Sequence, residues 1–135
     1  MTTDARPTVY PVLAYRDAAA AFDWLPEAFG FAQLFATADE DGRIVHAELS
    51  FGTGVIMLGS GGGPNGTADW RSSPQSVYIA VEDADAHCAR ARAAGGEITR
   101  EPEDTGYGSR EYSARDLEGH HWHFGTYRPT PKGAA

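Results

Sequence analysis

Two pairs of side chains in this sequence have the residue types and the spacing of metal ligands. His121 and His123 are two residues apart, and so are His46 and Glu48. In a β-strand, residues two apart point to the same face, so each pair would project from one side of its strand. Imidazole and carboxylate groups are common ligands of Zn²⁺ and similar divalent ions. Two interpretations stay open: a divalent-metal site, if the pairs converge, or a set of polar groups lining a wet cleft.

The elements that would position these residues repeat once along the chain. A shift of 66 residues maps Asp17 onto Asp83 and Gly59 onto Gly125 without a gap. In each copy, an Asp suited to an N-cap follows a short extended run, and a helical pattern ending in glycine follows the Asp. Three further extended runs complete each copy. The repeat therefore predicts two βαβββ units, and internal repeats of this kind define the fold class.

We predict an α+β protein whose two tandem βαβββ modules form a curved, incomplete-barrel sheet around a central cleft. The boundaries are module one, 8–59; linker, 60–75; and module two, 76–127. The linker is rich in Gly, Ser and Pro, as flexible connections are. In the strand Ile44–Phe51, the alternation predicts Val45, Ala47, Leu49 and Phe51 on the helix and His46 and Glu48 on the other face. Pro26 predicts a kinked or broken first helix.

Composition restricts the function classes. The chain has 135 residues, one domain by length, and a net charge of −8 from 11 basic and 19 acidic residues. This charge and the lack of a basic stripe argue against nucleic-acid binding. The single cysteine, Cys88, cannot form an intrachain disulfide, as suits a reducing compartment. We expect no signal peptide, no contact with a membrane and a cytoplasmic location.

Several ordered motifs resemble one known superfamily. They lie between Tyr10 and Tyr127 and are Tyr15-Arg16-Asp17, Glu27-Ala28-Phe29-Gly30, Gly42-Arg43-Ile44-Val45-His46-Ala47-Glu48-Leu49, Val81-Glu82-Asp83-Ala84-Asp85-Ala86, Tyr107-Gly108 and Asp116-Leu117-Glu118-Gly119-His120-His121-Trp122. Together with the paired βαβββ pattern, they resemble the vicinal oxygen chelate superfamily, which includes glyoxalase I, extradiol dioxygenases, and fosfomycin- and bleomycin-resistance proteins. The resemblance implies binding of a small molecule and assembly into a homodimer.

The resemblance also implies where a metal ion would bind. Enzymes of this superfamily take one ligand from the first and one from the fourth strand of each module. Those positions are here Tyr10, Met57, Ser76 and His123. Only His123 is a routine donor for Zn²⁺, Ni²⁺ or Fe²⁺, so this set is poorly suited to a metal ion.

The leading functional hypothesis is therefore metal-independent sequestration of a cationic or aromatic compound, with no cofactor. Its pocket would be lined by Tyr10, Met57, Tyr78, His121 and His123. Tyrosine rings supply contact area with a polar end, and the acidic net charge suits a cationic guest. We expect Tyr10 and Tyr78 to face the cleft, because strand alternation places them there.

Two alternatives remain open. The first is a metal-dependent lyase or dioxygenase that holds one divalent ion with His46, Glu48, His121 and His123. In that enzyme a histidine could also serve as general base. The second is a fold that only mediates protein association, although this leaves a polar, aromatic cleft unexplained.

Overall fold

The structure is a computed structural model that describes Pro7, residues 10–60 and residues 76–129. The chain divides into two compact units, unit 1 (Met1–Pro74) and unit 2 (Gln75–Ala135). Within the described residues, each unit has one helix and one four-stranded sheet. The predicted α+β fold with two βαβββ modules is thereby confirmed. Neither sheet closes into a barrel, and the central cleft and module boundaries stay predictions.

The two units have the same order of elements. The elements of unit 1 are β1 (Val12–Tyr15), α1 (Ala18–Phe29), β2 (Ala32–Ala38), β3 (Ile44–Phe51) and β4 (Gly54–Ser60). The elements of unit 2 are β5 (Val77–Ala80), α2 (Ala84–Ala93), β6 (Glu97–Asp104), β7 (Arg110–Arg115) and β8 (His121–Gly125). The predicted linker, 60–75, lies outside the described residues except for Ser60, which ends β4.

The sheets also share their strand order. In unit 1 the order is β1-β4-β3-β2, and in unit 2 it is β5-β8-β7-β6. The first and last strands of each unit pair in parallel, and the other pairs are antiparallel. The helix of each unit packs on one face of its own sheet. We call the opposite face the helix-free face of that unit.

The helix-facing side of each sheet forms the core of its unit. Because β-strand side chains alternate, this leaves the other set of residues for the helix-free face. In unit 1 the buried strand residues are Leu13, Tyr15, Ala47, Leu49, Ile56 and Leu58. In unit 2 they include Tyr112, Ala114, Trp122 and Phe124.

The prediction that a shift of 66 residues maps one module onto the other without a gap is wrong for part of the sheets. Val45 forms a bulge in β3, because Ala38 pairs with Ile44 whereas Thr37 pairs with His46. A bulge adds one residue to one strand and reverses the faces beyond it. Val45 is consequently 53% exposed rather than packed on α1.

The predicted break at Pro26 does not occur, since α1 runs unbroken from Ala18 to Phe29. Proline has no amide hydrogen to donate to the carbonyl four residues earlier, which belongs to Phe22. The side chain of Gln33 in β2 donates to that oxygen instead, with Nε2 at 2.9 Å. The strand thus supplies the hydrogen bond that the helix lacks.

Along the described parts of the chain, no helix has the length and apolarity needed to cross a bilayer.

We expect Gln33→Ala to lower the free energy of unfolding by about 0.5–1 kcal/mol, the usual net value of one hydrogen bond. Urea unfolding measures this loss. In a Pro26→Ala background, the restored amide of residue 26 can donate to the Phe22 carbonyl. Gln33→Ala should therefore lower the free energy of unfolding by a smaller amount in that background. An equal cost in both backgrounds would contradict this role of Gln33.

Candidate functional site

Four polar residues form a row across the helix-free face of unit 2. Tyr78 in β5 pairs with His123 in β8, His123 pairs with Ser113 in β7, and Ser113 pairs with Arg100 in β6. We call these residues the polar row. Each strand contributes one member, so a phenol, an imidazole, a hydroxyl and a guanidinium lie side by side. Such convergent polar groups are typical of small-molecule sites.

His123 is held by its neighbour in the polar row. Its Nδ1 lies 2.7 Å from Ser113 Oγ, and this contact fixes the orientation of the ring. Burial lowers the pKa of His123, and the positive charge of Arg100 lowers it further. The imidazole is therefore neutral at pH 7, with Nε2 left to contact a ligand as donor or acceptor according to the tautomer.

A buried carboxylate supports the row from within the sheet. Glu111 is 6% exposed and accepts hydrogen bonds from Arg100 at 3.0 Å and Tyr107 at 2.8 Å. Burial by itself raises the pKa of Glu111, but hydrogen bonds from Tyr107, Arg100 and Ser109 outweigh it and place the pKa below its usual value. Glu111 thus stays ionised near neutral pH and positions the guanidinium of Arg100. Among the described residues, Arg100 Nε is the only buried side-chain nitrogen or oxygen without a hydrogen-bond partner.

Gly125 makes room for this arrangement. It pairs with Glu111 across the sheet, and a Cβ there would lie 2.6 Å from Glu111 Cγ and 2.7 Å from Tyr78 Oη. Tyr78 Oη donates to the carbonyl of Tyr127 at 2.5 Å. Burial is the main cause that raises the pKa of Tyr78, and the charge of Glu111 adds to it. The phenol is therefore a hydrogen-bonding group and not a phenolate at neutral pH.

Unit 1 carries a row in the equivalent position, with different chemistry. Val12 in β1 pairs with Met57 in β4, Met57 with Glu48 in β3, and Glu48 with Phe35 in β2. We call these residues the apolar row. Val12 is 69% and Phe35 49% exposed. A single carboxylate flanked by a thioether and an aromatic ring favours a cation that also offers apolar surface.

His46 lies next to the apolar row and contacts its carboxylate. His46 Nε2 is 2.8 Å from Glu48 Oε2, and the His46 ring lies against Phe35 with 5.7 Å between ring centroids. The predicted pairing of His46 with Glu48 on one face is therefore present in unit 1. Likewise, the alternating burial of β8 puts His121 and His123 on the helix-free face of unit 2.

A metal ion fits these residues poorly within either unit. Each unit offers two of the alternative ligands, fewer than a metal ion needs. Across the described ranges, no group of three or more His, Cys, Asp and Glu side chains is arranged to hold a metal ion. The alternative set of His46, Glu48, His121 and His123 draws on both units and stays a prediction.

The predicted pocket residues are divided between the units. Tyr10 lies before β1 and Met57 belongs to the apolar row, both in unit 1. Tyr78 and His123 are neighbours in the polar row of unit 2, and His121 lies at the start of β8. Their role as one ligand pocket stays a prediction.

Sequence reasoning missed Ser113, Arg100 and Glu111. A shift of 66 places Ser113 opposite Ala47, whereas the strand pairing makes it the counterpart of Glu48. The alternation of Glu111 and Ser113 with the buried Tyr112 and Ala114 was the available signal. It indicates a polar face on β7 of the same kind as that of His121 and His123.

The lowered pKa of His123 makes unit 2 sensitive to acid. The unfolded chain binds the proton near pH 6.5, and the folded chain binds it only at lower pH. The unfolded state therefore holds more protons between those two values, so stability should rise with pH across that window. Urea unfolding at pH 5 and pH 7 should show a smaller pH difference for His123→Gln than for the wild type. An unchanged difference would contradict the lowered pKa.

Comparison with known proteins identifies relatives of this architecture. The sequence model of the Glyoxalase/Bleomycin resistance protein/Dioxygenase superfamily matches residues 8–124. A protein of Mycobacterium tuberculosis, named as uncharacterized, is 30% identical over 131 residues, which cover 93% of this chain and 77% of that protein. The match thus extends over both units.

Solved structures have the same fold. TioX from Micromonospora sp. ML1 has a TM-score of 0.71 and 34% identity, over 93% of this chain and 100% of TioX. Glyoxalase I from Zea mays has a TM-score of 0.69 and 21% identity, over 90% of this chain and 45% of that enzyme. The likeness to the maize enzyme shows the fold alone.

Proposed function

The chain belongs to the glyoxalase/bleomycin resistance protein/dioxygenase superfamily, and we propose that it sequesters a small cationic or aromatic compound without a metal ion. The observation that carries the proposal is the apolar row of unit 1, whose one charged group is the carboxylate of Glu48. Superfamily membership alone does not fix a function, because function resides in the site.

The polar row supplies directional contacts for a ligand. Ser113 orients His123 through Nδ1, and Glu111 orients Arg100. Side chains fixed in this way lose little conformational entropy when a ligand binds, which favours affinity. The unpartnered Nε of Arg100 adds a donor whose burial is costly until it meets an acceptor.

The apolar row accounts for the proposed charge and shape of the ligand. Glu48 lies between Met57 and Phe35 in the strand pairing of unit 1. A cation gains from the carboxylate and from the face of the aromatic ring, while an aromatic group gains from the thioether. A neutral polar compound would gain little from this surface.

Donor chemistry supports metal independence. Of the four positions at which the superfamily resemblance implies ligands, Tyr10, Met57 and Ser76 carry groups that are weak donors for Zn²⁺, Ni²⁺ or Fe²⁺. His123 is the routine donor among them, and one such donor is fewer than a metal site needs. The proposal therefore assigns His123 to the ligand and not to an ion.

Calorimetric titration with metal-free bleomycin A2, ethidium and berberine tests the proposal. We expect saturable binding of at least one of these cationic aromatic compounds. Glu48→Gln should weaken it about three- to tenfold, in line with the loss of one charge interaction at a part-buried site. Glu40→Gln makes the same change of charge on an exposed hairpin residue and should leave the affinity unchanged. Absence of binding by all three compounds, or equal loss in both variants, would overturn the proposal.

A second candidate function is a metal-dependent lyase or dioxygenase. The observation that favours it is the contact of His46 with Glu48 at 2.8 Å, which brings two possible ligands together. Metal analysis of protein purified without added metal separates the candidates. Tight, stoichiometric Zn²⁺, Ni²⁺ or Fe²⁺ that is lost in His123→Ala would favour the enzyme.

We also propose that the chain forms a homodimer, as the superfamily resemblance implies. Light scattering at micromolar concentration should give twice the chain mass of 14.5 kDa. A monomer under those conditions would exclude this assembly.

A further inference from the structure

Two exposed tyrosine rings form a corner at one end of unit 2. Tyr107 is 64% and Tyr127 51% exposed. Their ring centroids are 6.0 Å apart and their planes meet at 81°. Neither residue belongs to the polar row, and together they present two exposed aromatic rings at one place.

Hydrogen bonds hold the Tyr107 ring and the backbone of Tyr127 in place. Tyr107 donates its phenol to Glu111 at 2.8 Å. The backbone of Tyr127 donates to Ser109 Oγ at 3.0 Å and accepts from Tyr78 Oη at 2.5 Å. Ser109 is itself held, since its amide donates to Thr105 Oγ1 at 3.0 Å. The Tyr107 ring and the Tyr127 backbone are therefore preorganised, which lowers the entropic cost of binding a ligand.

The electrostatics of the corner favour a cation. The face of an aromatic ring is negative, and a phenol that donates to a carboxylate carries more electron density in its ring. Glu111 Oε2 accepts from Tyr107, while Oε1 accepts from Arg100. Arg100 offsets part of the carboxylate charge, so the expected attraction is that of an exposed cation–π contact.

We propose that Tyr107 and Tyr127 bind a quaternary ammonium group. Such a group has a diffuse positive charge and no hydrogen-bond donors, so it is recognised by ring faces and needs no acceptor. A primary ammonium would instead require several hydrogen-bond acceptors, and Glu111 is only 6% exposed and already holds Arg100 and Tyr107. The inference rests on the proposed function, because it assigns one chemical group of the cationic ligand to this corner.

Choline and its neutral isostere 3,3-dimethylbutan-1-ol test the inference by NMR. Choline should shift the amide and ring signals of Tyr107 and Tyr127 saturably and bind about two- to fivefold more tightly than the isostere, the ratio expected of an exposed cation–π contact. Tyr107→Ala and Tyr127→Ala should each abolish this preference. Leu117→Ala, which removes another exposed apolar side chain of unit 2, should keep it.

Equal binding of choline and the isostere, or an unchanged preference in Tyr107→Ala, would overturn the inference. Contacts between the choline methyl protons and the two rings in the wild type give a second readout that needs no variant. Selective choline binding without binding of the cationic aromatic compounds would defeat the proposed function alone. Binding of those compounds with no choline preference would defeat this inference alone.

Discussion

Replacing Asp116 by alanine is expected to lower the free energy of unfolding by about 3 kcal/mol, the largest effect of any single substitution considered. Asp116 is buried and its Oδ1 accepts from the amides of Glu118 and His120, each at 3.0 Å. Its Oδ2 accepts from Trp122 Nε1 at 3.0 Å. Hydrogen bonds to a charged group contribute about 1.5–3 kcal/mol each, and the substitution also removes the carboxylate that accepts from the buried indole. The loss should lower Tm by about 10 °C.

The matched control is Asp41→Ala, the same substitution in an exposed turn of unit 1, which should change stability by less than about 0.5 kcal/mol. Trp122→Phe removes the indole donor. In that background, Asp116→Ala should therefore lower the free energy of unfolding by a smaller amount. Thermal unfolding of the single and double variants measures the coupling. Additive losses would contradict the assigned contact between Asp116 and Trp122.

Gly125→Ala is expected to lower the free energy of unfolding by about 2 kcal/mol. The added Cβ would lie 2.6 Å from Glu111 Cγ and 2.7 Å from Tyr78 Oη. Relief of that overlap requires movement of Glu111, which would weaken its hydrogen bonds to Arg100 and Tyr107, or a shift of the strand. Overpacking of a filled interior typically costs about 1–3 kcal/mol.

Gly106→Ala provides the control for this substitution, because nothing lies within 4 Å of a Cβ at Gly106. Urea unfolding should show little change for that variant. Combining Gly125→Ala with Glu111→Ala removes the closest overlap and should make the glycine substitution less costly. A loss that is the same with and without the Glu111 side chain would contradict this packing.

Prediction from the sequence was most accurate for features that depend on the alternation of residues along a strand or on a capping residue at the start of a helix. The bounds of β3 match their prediction, and Asp17 and Asp83 cap the two helices as expected. These features depend on local chemistry: an Asp side chain accepting from an amide three residues on, and alternation along a strand. Such interactions can be predicted without knowing which strands pair.

Strand register was not accessible in the same way. The bulge at Val45 in β3 and the irregularity between Arg100 and Glu103 in β6 each add a residue. Bulges depend on the partner strand, and they leave little trace in the pattern of one strand. Because the shift of 66 residues ignores these extra residues, it matches Ser113 with Ala47. The polar row could therefore not be recognised from the sequence.

The candidate site was predicted only in part for a related reason. Tyr78 and His123 follow from strand alternation, and they are neighbours in the sheet. Arg100 and Glu111 interact at 3.0 Å although they lie on different strands. Considered without its partner strand, each of the two residues has the sequence pattern of an exposed charged side chain. Their pairing could be inferred only from the register of β6 with β7.

Calorimetric titration of a cationic aromatic compound with and without a chelator tests the central claim most directly. The proposal is that the chain binds this compound without a metal ion. Protein treated with EDTA should bind metal-free bleomycin A2, ethidium or berberine with the same affinity as untreated protein, and His123→Ala should weaken binding in both conditions. Binding that disappears with the chelator and returns with Zn²⁺ or Ni²⁺ would contradict the claim.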